Sequence, residues 1–167
     1  MKKVLTYNWD GTEKFIHSGQ WREYNTLQKI PKNLDRSARG IYQKYKDKSK
    51  RGSHYLDMVP YTVDDTLLSI FSRMEPGMTY ENYSTVWEID HILAVKLYST
   101  IYKKHGMSCY DIILDCFNPK NLRACFCKDN IVKTYTVYEF LCAKYGLIDE
   151  MNKLFAMSGE KRIGKLF

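Results

Sequence analysis

Apolar positions along this chain recur at helical spacing in several stretches and at strand-like density in two others. From 33 to about 50, Leu34, Ala38, Ile41 and Tyr45 fall on one stripe, and Arg36, Arg39, Gln43, Lys46 and Lys50 line another face. The pattern predicts a helix with Asn33 as its N-cap, broken by Arg51-Gly52-Ser53. Thr62-Val63-Asp64-Asp65 has capping-box spacing and opens a second helix, with Val63, Leu67, Ile70, Phe71 and Met74 inward and Pro76-Gly77 as its stop. Residues 83–92 are rich in β-branched and aromatic types and predict an extended segment. A long connection over 93–120 follows, with a helical turn around 95–103. A second strand is expected over 122–126 and a helix from 128 to about 135. Thr136-Val137-Tyr138-Glu139 is read as a capping box for another helix, with Val137, Phe140, Leu141 and Tyr145 apolar and Gly146 ending it. Residues 147–155 form a last helix, and 158–167 a mobile basic tail. In residues 1–30, Tyr7, Trp9, Phe15, Trp21 and Tyr24 alternate with polar residues, and Asn8-Trp9-Asp10-Gly11 suggests a turn. Short strands and a packed arm both fit that segment, with core packing the default role for its aromatics. There is no internal repeat and no clear linker.

The chain has 167 residues, enough for one core or a compact domain with an arm. No apolar run approaches the roughly 20 residues that span a bilayer. The opening Met1-Lys2-Lys3-Val4-Leu5-Thr6-Tyr7 reaches polar residues too soon for a signal peptide, so a soluble, intracellular (cytoplasmic) protein without a membrane partner is expected. Cys109, Cys116, Cys125, Cys127 and Cys142 are odd in number and irregular in spacing, which argues for buried or half-buried thiols in a reduced compartment. Cys125-Phe126-Cys127 has a single residue between its thiols, too few for a zinc knuckle, and no structural zinc is expected. The net charge of +7 is uneven. Residues 1–60 hold 13 Lys/Arg against 6 Asp/Glu, whereas 61–167 hold 13 of each. Nine basic and two acidic residues lie within 29–51. Such a cluster is the footprint of a phosphate-backbone contact, although a charge run is more often a solvated helix face.

The chemistry-bearing residues lie further on. Trp87-Glu88-Ile89-Asp90-His91-Ile92 is followed by Asn121-Leu122-Arg123 and then by Asn130-Ile131-Val132-Lys133. Phosphodiester hydrolysis needs a base to activate water and a cation to neutralise the phosphate, both rigidly placed. A neutral imidazole suits the first role, and a hard divalent ion held by one carboxylate and one amide oxygen suits the second. Asp90, His91 and Asn130 supply these groups. In an extended segment Asp90 and His91 point to opposite sides, and a bend at the strand end would be needed to turn both toward one cleft. Asn130 at a helix start and Lys133 on the same helix face would complete it. Taken singly, each has a blander reading: Asp-His as a surface pair, Asn121 as a turn residue, Asn130 as a cap, and Trp87, Tyr80 and Tyr83 as packing. His17, His54 and His105 have no motif partner.

Residues 62–133 resemble the HNH nuclease family, whose core is the ββα-metal or His-Me finger. The likeness lies in Glu75-Pro76-Gly77-Met78-Thr79-Tyr80-Glu81-Asn82-Tyr83, in Trp87 to Ile92, in Asn121-Leu122-Arg123, and in Asn130 with Lys133 three residues on. It implies an α+β fold with a ββα-metal core and flanking helices. It also implies a Mg²⁺- or Mn²⁺-dependent endonuclease that leaves a 5′-phosphate and a 3′-hydroxyl. By the resemblance His91 is the general base, Asp90 and Asn130 are the metal ligands, and Asn121 braces the loop and holds the imidazole. Arg123 and Lys133 match positions that are commonly basic and contact phosphate, and Arg36, Arg39, Lys46 and Lys50 are the further nucleic-acid contacts expected from the basic cluster. Phe126 and Asp129 stand where many relatives carry a zinc-binding cysteine pair, and Asn130 makes this an H-N-N variant. The expected organisation is a basic nucleic-acid-binding arm over 1–60, the nuclease core over 61–135 and C-terminal helices with a tail over 136–167, together one compact unit. Double-stranded DNA is the expected substrate, and a homodimer is compatible with it. A non-catalytic nucleic-acid-binding protein on the same scaffold and an RNA-cleaving effector are the alternatives. Proteins of this kind are frequent in phages and mobile elements.

Overall fold

A computed structural model describes residues 3–7, 13–17, 21–44, 59–130 and 133–159, of which 3–7, 13–17, 21–27 and 42–44 are described as backbone alone. The fold is mixed α+β. Among the described residues, six α-helices accompany two separate two-stranded antiparallel sheets. The first sheet pairs β1 (Lys3–Tyr7) with β2 (Glu13–His17), so the part of the N-terminal segment holding Tyr7 and Phe15 forms short strands, while Trp21 and Tyr24 belong to the first helix. The turn expected at Asn8-Trp9-Asp10-Gly11 lies outside the described residues.

Helix α1 runs from Trp21 to Lys44 and contains Pro31, so it starts twelve residues before the expected cap at Asn33. Proline inside a helix removes one backbone bond and costs about 3 kcal/mol. Ile30, Leu34, Ala38 and Ile41 all turn one face into the core, and each large aliphatic side chain so buried contributes about 1.5–3 kcal/mol. Tertiary burial therefore outweighs the proline. Asn33, mid-helix, donates through its side chain to the Tyr83 hydroxyl (2.8 Å) and caps nothing. The expected continuation to 50, with Lys46 and Lys50, falls outside the described residues.

Helix α2 (Val63–Phe71) opens as read, with reciprocal bonds between Thr62 and Asp65. It stops at Ser72, before Pro76-Gly77, because the amides of Arg73 and Met74 turn to tighter i−3 carbonyls. Arg73 then leaves the helix end and donates to the carbonyls of Lys120 and Leu122, both at 2.7 Å. The next stretch is a tied loop. Gly77 sits at φ +96°, the side of backbone space that favours glycine, and the Asn82 side chain clamps the Thr79 amide and the Gly77 carbonyl. Trp87 is fully buried and its indole N–H donates to the Thr79 carbonyl.

Strand β3 (Trp87–His91) is shorter than the 83–92 segment expected. It pairs antiparallel with β4 (Leu122–Phe126), which matches its predicted bounds. Two helices, α3 (Val95–Lys104) and α4 (Cys109–Cys116), replace the long connection. Ser108 and Asp111 form a capping box at the start of α4, and Gly106 turns the chain between the helices at φ +68°. The expected helix over 128–135 is not formed in the described residues. A 3₁₀ turn spans Cys127–Asp129, and Thr134, in an extended conformation, caps α5 (Tyr135–Tyr145) with its side chain. The cap is thus Thr134 and not Thr136. Gly146 ends α5 in the left-handed conformation, as read, and α6 covers Ile148–Ser158. Tyr138, Leu141 and Cys142 are the inward positions of α5, while Phe140, placed on the buried stripe by its spacing, is 64% exposed.

The core lies where the six helices meet the inner side of the β3–β4 pair, with Ile70, Trp87, Ile92, Leu97, Ile112, Phe117 and Leu122 fully buried. Cys109, Cys116, Cys125 and Cys142 are buried thiols and Cys127 is half-buried. No helix among the described residues is long and apolar enough to cross a membrane.

Candidate functional site

Pairing decides which side chains meet. Register sets Glu88 opposite Cys125 and Asp90 opposite Arg123 on one face of the β3–β4 pair. Trp87, Ile89 and His91 face Phe126, Ala124 and Leu122 on the other. Asp90 and His91 therefore lie on opposite faces, and the chain stays extended through His91. The bend that would turn both into one cleft comes after the strand, at Ile92-Leu93.

Asp90 is 5% exposed and has both carboxylate oxygens occupied. Oδ2 accepts from Arg123 Nε at 2.9 Å and Oδ1 from Lys133 Nζ at 2.6 Å. Lys133 also donates to the His91 carbonyl, so one ammonium joins the acidic side chain to the backbone beside the imidazole. Both cations are themselves largely buried, with side chains 11% and 8% exposed. Two buried positive charges surround one negative charge, and the excess of +1 sits at the end of β3. Arg123 also reaches Cys125 Sγ (3.5 Å), which holds the guanidinium along the sheet face.

The bend after His91 is held by Asn121. This residue is 1% exposed and ends a 3₁₀ turn, Pro119–Asn121. Its side-chain oxygen accepts from the Leu93 amide (2.8 Å). Its side-chain nitrogen donates to the carbonyls of Leu93 (3.0 Å) and Cys116 (2.8 Å). Its own carbonyl accepts from the Ile92 amide (2.8 Å). Asn121 thus satisfies buried backbone on both sides of the helical crossover.

The imidazole of His91 packs edge-on against Phe117, with ring centroids 4.9 Å apart. Its Nε2 is buried and has no hydrogen-bond partner among the described residues. Burial, then the nearby Lys133 charge, pushes its pKa down to about 4, against the opposing pull of Asp90. The ring is therefore neutral at physiological pH. An unfolded histidine titrates near 6.5, so between that value and about 4 the unfolded chain binds more protons than the folded one. The stability that His91 lends is complete above pH 6.5 and is lost as the pH falls toward 4. After allowance for its partial exposure this amounts to about 2 kcal/mol. Urea midpoints at pH 7 and pH 4.5 for the wild type and His91→Gln test it. The variant should lose less stability between the two pH values, and equal losses would show that His91 is not held neutral.

Asn130 follows the Cys127–Asp129 turn at φ −83° and ψ 66°, is exposed, and donates through its side chain to Glu88 Oε1 (2.8 Å). It meets the sheet on the Asp90 face, through Glu88. Asn130 and Lys133 do not sit on one helix face as expected, since residues 131–132 are outside the described set and no helix begins at Asn130. Arg36 and Arg39 are exposed on α1.

Glu88 and Phe117 were not singled out in the sequence. Glu88 had a signal, since it lies two residues before Asp90 and shares its strand face. Phe117 had none, because its contact with His91 is made by the fold.

No group of three or more His, Cys, Asp or Glu among the described residues is placed to hold a metal ion. Asp90 and Asn130 offer one carboxylate and one amide oxygen. That is a hard-oxygen donor pair of the kind Mg²⁺ or Mn²⁺ takes alongside waters, so the donor chemistry fits such an ion. Lys133 competes for the same Asp90 oxygen. Comparisons of the chain with protein-family models, with curated proteins and with solved structures found no match.

Proposed function

We propose that this chain is a divalent-metal-dependent HNH-type endonuclease, built on a ββα-metal core and acting on double-stranded DNA. The carrying observation is the Asn121 brace. A buried asparagine after the crossover is bonded to both backbone groups of Leu93, just beyond Asp90-His91. Such a brace gives a base a fixed position, which is what water activation requires.

Asp90 and Asn130 would hold one Mg²⁺ or Mn²⁺, which when bound would neutralise charge on the scissile phosphate and the leaving 3′-oxygen. The remaining work falls to side chains. His91 is neutral and accepts the proton of the attacking water. With Nε2 buried, the proton goes to Nδ1. Asn121 keeps the His91 bend from moving. Arg123 and Lys133 hold Asp90 in one rotamer and place positive charge at the end of β3, where phosphate is attracted. Arg36, Arg39, Lys46 and Lys50 add backbone affinity for nucleic acid. In this reading the phosphate lies across the strand end, between the two faces that carry Asp90 and His91.

One observation favours a second reading, a nucleic-acid-binding protein without catalysis. Both Asp90 oxygens already accept from cations. Supercoiled plasmid incubated with Mg²⁺ or Mn²⁺ separates the two. The wild type should nick or linearise the plasmid, EDTA should stop it, and His91→Ala should slow it by at least about 100-fold. Plasmid left intact by the wild type in either metal, but bound as tightly by His91→Ala, establishes the binding protein instead. A transfer RNA offered in the same tubes reports on the RNA-cleaving alternative.

A further inference from the structure

Asn121 also lines an open pocket of about 380 Å³ between α3, α4 and α6, within the size range of small-ligand sites. Its chemistry is opposite to the rest of a chain with net charge +7. Asp115, Asp149 and Glu150 line it, against a single ammonium, Lys153. Among the described residues none of these four groups makes an ion pair. Asp115 takes one bond, from the Tyr102 hydroxyl. The carboxylates are also not grouped closely enough to share a metal ion. They are spread around a space that suits a larger cation.

A second observation comes from the aromatic wall. Tyr98 lines the cavity, is 4% exposed, and its hydroxyl has no hydrogen-bond partner among the described residues. The ring is buried while the hydroxyl opens on the pocket, where a ligand or water completes it. Burial above all, then the nearby Cys116, Asp115, Tyr102 and Glu150, pushes its pKa up, so it stays neutral and near the cavity's acids. Its ring stands edge-on to that of Tyr102, 5.5 Å between centroids, and together they give the cavity an aromatic wall. Carboxylates beside tyrosine rings are the combination that recognises organic ammonium and guanidinium groups. Phosphates and other anions would be repelled by the same lining.

We propose that this cavity binds a small organic cation bearing an amine or guanidinium group, held by Asp115, Asp149 and Glu150 against the Tyr98–Tyr102 wall. The residues assigned to the cation are distinct from Asp90, His91, Arg123, Asn130 and Lys133, and Asn121, which braces the other site, lines the same pocket without being assigned a ligand contact. Agmatine, which carries an amine at one end and a guanidinium at the other, is a suitable probe, with butane-1,4-diol as an uncharged control.

Isothermal titration at low ionic strength should show one agmatine site with a dissociation constant of about 1 mM or tighter, and no heat from the diol. Glu150→Gln, an exposed position that should not disturb folding, is expected to weaken binding by at least about 5-fold. Tyr98→Phe removes only the hydroxyl and should weaken it by about 3-fold. Glu139→Gln, an exposed acid on α5 outside the cavity, should leave it unchanged. No binding up to about 10 mM, or equal weakening by Glu139→Gln and Glu150→Gln, overturns the proposal. Unchanged binding by Tyr98→Phe overturns the assignment of that hydroxyl as a ligand donor.

Discussion

Asn121→Ala is expected to destabilise the protein by about 3–5 kcal/mol, read as a fall in the urea midpoint at unchanged slope. The residue is 1% exposed and its amide group serves three backbone positions, the Leu93 N–H and the carbonyls of Leu93 and Cys116. Alanine leaves all three without partners in a place water does not reach, and each orphaned group costs about 1–3 kcal/mol. The sum exceeds the loss from the removed side-chain volume, so unsatisfied polarity is the dominant effect. Asn121→Asp makes the point sharper. It keeps an acceptor for the Leu93 amide but turns a negative oxygen toward two carbonyls, so near neutral pH it should be no better tolerated than alanine. A loss below about 1 kcal/mol for Asn121→Ala would mean that the bend is held by something else. Where the variant still folds, its plasmid cleavage should fall along with its stability, since the bend that follows His91 is no longer tied to Cys116 and Leu93.

Local signals were legible wherever a short motif and its burial pattern agreed. Strand β4 matches its reading because Leu122 and Ala124 point inward and the chain is stopped on either side by a 3₁₀ turn. The start of α2 matches because Thr62 and Asp65 bond each other with no help from the rest of the fold. The same chemistry recurs at Ser108 and Asp111, yet 93–120 was expected to be mostly connection. The Ser-x-x-Asp box there is followed by Ile112-Ile113-Leu114, so the signal for α4 was present in the sequence, but over only eight residues. The two misplaced helix starts differ in cause. Asn33 is carried inside α1 because Ile30, Leu34, Ala38 and Ile41 are buried as one face across it, whereas α5 starts at Tyr135 because Thr134, and not Thr136, offers the side-chain cap.

The candidate site divides along the same line. The strand pairing of Asp90 with Arg123 follows from alternation once the register is known. The reach of Lys133 to Asp90 and the bond of Asn130 to Glu88 do not, because both are made across the sheet by residues far apart in sequence. The sequence pattern placed Asn130 and Lys133 on one helix, and the fold instead uses Thr134 to begin α5 and lets each residue approach the sheet on its own.

Removing the Asp90 carboxylate is the second large effect expected. Asp90→Ala strands two cations whose side chains are 11% and 8% exposed, and breaking a buried pair from one side costs about 3–5 kcal/mol. Lys133→Met should cost less. It keeps the apolar stem, and Asp90 retains Arg123, so the carboxylate is never left alone. The two variants should diverge most in their response to metal. In the wild type the Lys133 ammonium occupies Asp90 Oδ1, and any ion held by Asp90 must overcome that charge. Lys133→Met removes the competitor and should bind Mn²⁺ at least about 10-fold more tightly, a gain of about 1.4 kcal/mol. Electron paramagnetic resonance of free Mn²⁺ measures this without any nuclease assay. Asp90→Asn should lose the binding, and Lys128→Met, at an exposed lysine on the Cys127–Asp129 turn, controls for general loss of positive charge. Equal affinity in the wild type and Lys133→Met would show that the ammonium does not compete. Mn²⁺ binding that survives Asp90→Asn would place the ion elsewhere and remove Asp90 from the proposed site. If the expected order holds, one residue has two uses. Lys133 keeps a buried carboxylate neutralised while no ion is bound, and it is displaced when an ion takes that charge over.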